Sequence, residues 1–166
     1  MPTWAEFDES RIKHLEFIQA VISRLGGNGF LMKGWALTVA GAFYGFGLNS
    51  HNRWLALAGV LPTLAFWGLD AYFLSAERLF RKLYDLVRTD DARVDPFYMG
   101  ATAPDFVMQL SEDERHSVSW TTSLRRPALR YFYGAILASA IVVFAIVVGT
   151  HPTPAHTPIP PPSTHP

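Results

Sequence analysis

Lys33 and Asp70 are the residues of this 166-residue chain best placed to do chemistry, because each is a charged side chain inside a mainly apolar segment. Lys33 lies 18 residues before His51, in the polar stretch between the two segments, and Asp70 lies 19 residues after it. In an antiparallel pair of helices, these two side chains reach the same depth. A lone charge in a bilayer costs about 3 kcal/mol at the centre and less near the edge, so pairing is favoured.

We predict that Lys33 and Asp70 form an ion pair that fixes the register of the two helices. Two alternatives are open: each side chain extends separately to the lipid headgroups, or the pair takes part in ion conduction. The sequence has no second carboxylate in its apolar segments and no cysteine, so a proton relay and thiol chemistry have no support. It also lacks an HExxH motif, a nucleotide-binding loop and a nucleophile elbow.

Few other residues offer catalytic or metal-binding chemistry. His151, His156 and His165 have a spacing that matches no closed metal site, so we interpret them as incidental. An enzyme that acts on lipids would need acid and base groups that converge near the membrane. The three candidates for such groups are Asp105, Glu112 and His116. We therefore expect no catalytic residue, no metal and no cofactor.

Three segments of the chain are apolar enough to cross a membrane: residues 30–48, 54–74 and 131–149. A hydrocarbon layer of about 30 Å takes roughly 20 residues of helix at about 1.5 Å each. We therefore predict an all-α integral membrane protein with three transmembrane helices, a hairpin followed by a third span. Pro62 should kink the second span, which is expected to continue beyond the membrane as one helix to Arg88.

Glycines have two predicted roles in the first third of the chain. Gly34, Gly41 and Gly45 recur at helical spacing in the first span, where small residues let helices pack closely in lipid. Residues 26–29, with the sequence GGNG, are expected to break the chain, because glycine and asparagine adopt helix-ending conformations. The N-terminal helix and the first span are therefore predicted to be separate helices.

Two amphipathic segments, residues 6–25 and 73–88, carry apolar seams at helical spacing. The seam residues are Leu15, Ile18, Ile22 and Leu25 in the first segment and Phe73, Phe80, Leu83 and Val87 in the second. The first segment approaches the membrane while the second leaves it, so the seams can meet as an antiparallel, coiled-coil-like stalk. Pairing within one chain and pairing between subunits fit the sequence equally well.

A basic cluster, Arg78, Arg81 and Lys82, directly follows the second span. Basic side chains beside a membrane attract anionic headgroups by about 1 kcal/mol per charge. Contact with headgroups is one interpretation of this cluster. A solvated helix face with acidic partners is the other.

The chain after Arg88 is predicted to contain little regular structure before the third span. Residues 92–126 are mixed in composition, and they offer one short helix whose capping box is Ser111 and Glu114. Residues 150–166 contain seven prolines and no lysine or arginine. Such a composition is typical of an extended, disordered tail.

The 14 basic residues are distributed unevenly around the spans. Four lie before or at the start of the first span, one lies in the turn, nine lie between Arg78 and Arg130, and none lies in the tail. The positive-inside rule then places residues 1–29 and 75–130 in the cytoplasm, and the turn and residues 150–166 outside. We therefore predict a multi-pass inner-membrane protein with a cytoplasmic N-terminus and an external C-terminus.

Two blocks, residues 14–39 (HLEFIQAVISRLGGNGFLMKGWALTV) and 67–88 (WGLDAYFLSAERLFRKLYDLVR), resemble a widespread, largely uncharacterised group of small bacterial multi-pass membrane proteins. Lys33 lies in the group's KGW motif, and Asp70 and Glu77 match its second block. The resemblance implies a bacterial membrane protein without assigned catalytic residues. The layout of a hairpin with a charged helical extension is also similar to that of membrane effectors of bacterial conflict systems, which are proposed to form pores.

Three classes of function fit these features. The first is a non-enzymatic structural or interaction protein that forms homo-oligomers in the lipid bilayer and has a possible protein partner on the cytoplasmic side. The second is a pore-forming or membrane-perturbing effector gated through the cytoplasmic helices. The third, a lipid enzyme, depends on the three candidate groups named above. Nucleic acid is not an expected partner, because 14 basic residues balance 14 acidic ones.

Overall fold

The computed structural model describes residues 9–89, 91 and 94–149. Helices cover 85% of these residues, and no strand occurs among them. The helices are α1 (Glu9–Asn49), α2 (Arg53–Ala58), α3 (Val60–Arg88), α4 (Pro104–Gln109), α5 (Glu112–Val118), α6 (Trp120–Leu124) and α7 (Pro127–Gly149). The predicted all-α fold is therefore confirmed for the described part of the chain, while the predicted tail and its three histidines lie outside it.

Helix α1 is continuous over 41 residues, so the predicted break at residues 26–29 is wrong. Each glycine inside a helix costs about 1 kcal/mol relative to alanine, but two of these glycines let α3 come close. A Cβ atom at Gly29 would lie 3.0 Å from Oδ1 of Asp70, and one at Gly26 would lie 3.7 Å from Oε2 of Glu77. No glycine of the described chain has a positive φ. Gly26 and Gly29 therefore allow close packing of α1 on α3, and no glycine of residues 26–29 forms a turn.

The turn that follows α1 reverses the chain, and α3 then packs along α1 in the antiparallel direction. His51 adopts the left-handed conformation with φ of 51°. Asn52 caps α2, since its Oδ1 accepts a hydrogen bond from the backbone N–H of Trp54 at 3.0 Å. The predicted antiparallel hairpin is therefore present.

The second apolar segment is interrupted at Gly59, between α2 and α3. Pro62 has no N–H to donate to the carbonyl of Ala58, so regular helix bonding fails one turn before the proline. A Cβ atom at Gly59 would lie 2.9 Å from both Phe43 Cβ and Tyr44 Cε1, so only glycine fits here. The prediction of one unbroken helix from residue 54 is therefore wrong at this point, whereas its predicted end at Arg88 is correct.

Three short helices, α4 to α6, occupy the segment predicted to be mostly irregular. The capping box of α5 is confirmed: Ser111 Oγ accepts from the Glu114 N–H, and the Glu114 carboxylate accepts from the Ser111 N–H at 3.1 Å. Helices α4 and α6 were not predicted, because five or six residues are too few to show a helical period. Helix α7 begins at Pro127, four residues before the predicted span, because proline suits the first position of a helix.

The described chain has two hydrophobic cores, which lie towards opposite ends of the long helices α1 and α3. We call residues 30–74 and 127–149 the apolar half, and residues 9–29 and 75–126, as far as they are described, the polar half. The core of the apolar half consists of Ala36, Ala40, Tyr44, Ala71, Leu129, Tyr133, Ile136 and Ala140. The core of the polar half consists of Ile18, Ile22, Leu79, Leu83, Val87, Ala101, Phe106, Leu110 and Val118.

The predicted stalk pairs within one chain, and helices α4 and α5 cover it. Four predicted seam residues, Ile18, Ile22, Leu83 and Val87, are buried in the core of the polar half. Leu15 and Phe80 are partly buried against that core. Leu25 and Phe73 are half-buried and lie outside it, so these two positions were predicted incorrectly. Leu79, which the predicted seam left out, is also buried in this core.

Two parts of the described chain are long and apolar enough to cross a membrane: α2 with α3 (Arg53–Arg88), and α7 (Pro127–Gly149). Only 22% of the residues in the apolar stretch of each are buried inside the protein. The first predicted span, residues 30–48, is not one of them, because Lys33 and four glycines lower its mean hydropathy.

Candidate functional site

Asp70 is the centre of a polar site within the apolar half. Its side chain is only 2% exposed, and Nζ of Lys33 in α1 lies 2.7 Å from its Oδ2. The hydroxyl of Tyr133 in α7 donates to the same oxygen at 3.1 Å. We call Lys33, Asp70 and Tyr133 the Asp70 site. It joins α1, α3 and α7 at one level, so one carboxylate connects all three long helices.

The Lys33–Asp70 ion pair predicted from the spacing around the turn is present. Lys33 keeps 30% of its side chain exposed, but its ammonium group points to Asp70 and also donates to the carbonyl of Gly29 at 3.4 Å. Separate extension of the two side chains to headgroups therefore does not occur in this structure. Gly29 has a double role, because its carbonyl contacts Lys33 and its missing side chain makes room for Asp70.

Tyr133 is the member of the site that sequence reasoning missed. Its side chain is fully buried, and its ring stacks on Trp67 with centroids 5.9 Å apart and planes 9° apart. Trp67 is itself held by a hydrogen bond from Nε1 to the carbonyl of Leu124 at 3.2 Å. Its predicted depth in the membrane could have indicated this role. Tyr133 is the third residue of the predicted third span, close to the same membrane boundary as Lys33 and Asp70.

The chemistry of the Asp70 site is that of a clamp between helices. An ammonium group and a phenol O–H both donate to one carboxylate, so the negative charge is balanced where water is excluded. The helices of the described apolar half contain no other carboxylate, so Asp70 has no acidic neighbour with which to share a proton. The site is therefore suited to fixing the relative positions of three helices.

The predicted packing glycines, Gly34, Gly41 and Gly45, make no close helix contact within the chain. A Cβ atom at any of the three would meet nothing within 4 Å. Close approach in the apolar half occurs instead at Gly47 and Gly59, where added Cβ atoms would lie 3.1 Å from Ala56 N and 2.9 Å from Phe43 Cβ. A role of the three exposed glycines between copies of the chain stays a prediction.

The basic cluster after the second span has partners within the protein. Arg81 pairs with Glu77 at 2.7 Å, and Lys82 pairs with Glu114 at 3.2 Å. Arg78 donates to the carbonyl of Ser117 at 2.8 Å. The hydrogen bond from the Ser111 N–H, with the contact from Lys82, lowers the pKa of Glu114 below its ordinary value. The cluster thus connects α3 to α5, and its contact with headgroups stays a prediction.

The groups considered for lipid chemistry do not come together. Glu112 and His116 line one surface hollow on α5, and Asp105 is not part of that hollow. Asp105 instead accepts a hydrogen bond from the hydroxyl of Tyr98 at 3.1 Å. Across the described residues, no group of three or more His, Cys, Asp or Glu side chains is arranged to hold a metal ion.

The fold and the site together define an all-α protein whose two candidate membrane-crossing segments are joined to a third long helix by the Asp70 site. No protein-family model, no curated protein and no solved structure matches the chain. The resemblance to the group of small bacterial membrane proteins therefore stays a prediction.

Proposed function

We propose that this chain is a multi-pass protein of a bacterial inner membrane with a non-enzymatic, structural or interaction role. The observation that carries this proposal is the outward direction of its large apolar side chains. Phe46, Leu61 and Ile141, for example, are 65%, 73% and 70% exposed. In water such a surface would drive aggregation, whereas acyl chains are a suitable solvent for it.

Residues 30–48 of α1 complete the proposed bundle as its third span. One face of this segment packs on α3, and the opposite face is exposed, with Phe30 80% and Leu37 59% exposed. Lys33 contributes most of the unfavourable free energy of placing this segment in a bilayer, and its pairing with Asp70 reduces that free energy. The nine basic residues between Arg78 and Arg130 support the proposed orientation, with the polar half in the cytoplasm.

The proposal includes homo-oligomers, and the exposed glycines of α1 would form the contact surface between copies of the chain. Gly34, Gly41 and Gly45 form a stripe of small residues on the outer side of α1, where one copy makes no use of them. Small residues let a second helix approach closely in lipid. A cytoplasmic protein partner would bind the polar half, whose helices project beyond the bilayer.

Pore formation is the alternative function, and an experiment must distinguish it from the structural role. The two charged groups inside the predicted spans, Lys33 and Asp70, contact each other within one copy, so they do not offer a polar pore lining. We therefore expect liposomes that contain the purified full-length protein to stay tight to ions and dyes at every protein density. Leak that rises steeply with density would contradict the structural role and favour the effector.

Membrane integration is tested with the same preparation. The protein should float with liposomes after a wash at alkaline pH, because integral proteins resist this treatment and peripheral ones are released. Release of the protein into the soluble fraction would contradict the proposal.

A further inference from the structure

A hollow of about 230 Å³ lies where α3, α5 and the start of α7 meet. Its lining is mostly basic. The charged lining residues are Arg78, Arg81, Lys82 and Arg126, with Asp85 as the one carboxylate. Ser117 and Val118 of α5 complete the lining. Four cations face one anion here, so the hollow carries excess positive charge.

Two of the four cations are already paired with acidic groups, and two are not. Arg81 and Lys82 have Glu77 and Glu114 as partners, at 2.7 and 3.2 Å. No ion pair joins Arg78 or Arg126 to a carboxylate anywhere in the described chain. Arg78 donates only to a neutral acceptor, the carbonyl of Ser117 at 2.8 Å. The excess charge is therefore concentrated on these two arginines.

Arg78 and Arg126 also lie close enough to affect each other. Burial, together with the positive charge of Arg126, lowers the pKa of Arg78 below its ordinary value, and the opposing effect of Glu77 is smaller. Like charges that line the same hollow raise the free energy of the empty site. An anion between them would remove that cost, and a guanidinium group binds phosphate oxygens with two parallel hydrogen bonds.

The position of the hollow indicates which phosphate would reach it. Arg78 follows Leu74, the last residue of the predicted second span, by four residues, or roughly 6 Å of helix. Arg126 immediately precedes Pro127, the first residue of α7. The headgroup layer on each side of a bilayer is about 5–8 Å thick. Both arginines therefore lie at headgroup depth in the proposed orientation.

We propose that this hollow binds a phosphate group through Arg78 and Arg126, and that the phosphate belongs to the headgroup of an anionic lipid. The lipid source rests on the membrane placement proposed above, whereas the phosphate chemistry rests on the hollow itself.

The test uses the full-length protein in a neutral detergent, where binding does not depend on orientation in a bilayer or on a structural or pore-forming role. Three probes are titrated while thermal stability is followed: dioctanoyl-phosphatidylglycerol, dioctanoyl-phosphatidylcholine and inorganic phosphate. The variants are Arg78→Gln, Arg126→Gln and the double variant. Arg24→Gln is the matched control, because Arg24 is an exposed arginine of α1 outside the hollow. Circular dichroism verifies that every variant stays helical.

We expect phosphatidylglycerol to stabilise the wild type and Arg24→Gln equally, and to bind each single variant at least about tenfold more weakly. Phosphatidylcholine should bind much more weakly than phosphatidylglycerol. Equal binding of phosphatidylglycerol by the double variant and the control would overturn the site. Inorganic phosphate that binds as tightly as the lipid, and is lost in the double variant, would support the phosphate site and overturn its lipid source.

Discussion

Asp70 is a charged residue that the apolar half can hold only because its partners come from two other helices. Its Oδ2 accepts from Lys33 at 2.7 Å and from Tyr133 at 3.1 Å. Removing one member of a buried ion pair leaves a charge without compensation, which is usually more costly than removing both members. The energetic role of the site can therefore be measured by changing its members singly and together.

The first prediction concerns the ion pair. Lys33→Met and Asp70→Asn should each lower the free energy of unfolding by about 2–4 kcal/mol, because the first leaves a buried carboxylate without its cation and the second leaves a partly buried ammonium group without its anion. The double variant should lose clearly less than the sum of the two. The measurement is unfolding of the detergent-solubilised protein by SDS titration. Lys13→Met is the control, since Lys13 pairs with Glu16 at an exposed position. Strict additivity would mean that the pair contributes no coupling.

The second prediction distinguishes the contribution of the Tyr133 hydroxyl to stability from the contribution of its ring. Tyr133→Phe keeps the stacking on Trp67 and removes only the O–H donor to Asp70. We expect a loss of about 1–3 kcal/mol in the same unfolding experiment, since a hydrogen bond to a charged group is lost. Tyr131→Phe serves as control, because Tyr131 is 79% exposed and should lose almost nothing. Equal effects of the two changes would remove Tyr133 from the site.

Helix α1 shows how tertiary packing overrides local preference. The GGNG stretch has the composition of a helix stop, yet α1 passes through it without interruption. Two of its glycines face α3, and contact with that helix stabilises a conformation that the isolated sequence would not favour. The interruption between α2 and α3 has a local cause instead, because Pro62 has no N–H to donate to the carbonyl of Ala58.

The third prediction compares neighbouring glycines of α1. Gly29→Ala should destabilise the protein, because the new Cβ would lie 3.0 Å from Oδ1 of Asp70. Gly27→Ala should instead stabilise it by about 1 kcal/mol, since nothing lies within 4 Å of that Cβ and alanine favours helix. Thermal unfolding of both variants checks the two signs. Stabilisation by both changes would mean that α1 and α3 are less closely packed than this structure shows.

The fourth prediction concerns pH and the start of α5. The pKa of Glu114 is lowered in the folded protein, first by the Ser111 N–H and then by Lys82. Its stabilising contribution is therefore complete above the unfolded pKa, near 4.5, and is lost as pH falls through the lower folded pKa. Glu114→Gln should reduce the loss of stability between pH 6 and 3, by at most about 1 kcal/mol because the group is partly exposed. Glu112→Gln, on the same helix, is the control. An unchanged pH profile would contradict a role of the Glu114 charge.

The molecule as a whole consists of two cores joined by two continuous helices, α1 and α3. The apolar half turns large apolar side chains outward and buries Asp70 and Thr63, while the polar half covers its core with short helices. These opposite surfaces suit a protein whose apolar half is surrounded by lipid and whose polar half is surrounded by water. The basic hollow belongs to the polar half, and its residues Arg78 and Arg126 lie near the boundary with the apolar half, where headgroups would meet the protein.

Much of this arrangement could be predicted from residue periodicity. The Lys33–Asp70 pair followed from their nearly equal separations from His51, 18 and 19 residues, and the capping box of α5 followed from residues 111 and 114. Tyr133 and Leu79 could not be placed, because their contacts depend on how α7 and α3 rotate about their own axes. Arg126 could not be placed because it lies between α6 and α7, outside any helix whose period would orient it. Short helices were missed for a related reason, since packing on a distant core determines them more than local sequence does.

The chain has no cysteine, so single-cysteine variants give an unambiguous map of its surroundings. Ser50→Cys in the turn, Glu112→Cys in α5 and Ile141→Cys in α7 are expressed in bacterial cells and treated with a membrane-impermeant maleimide. A three-span protein with a cytoplasmic polar half predicts labelling at position 50 in intact cells, at position 112 only after lysis, and at position 141 under neither condition. Labelling at position 141 before denaturation, or at position 112 in intact cells, would contradict the proposed membrane bundle.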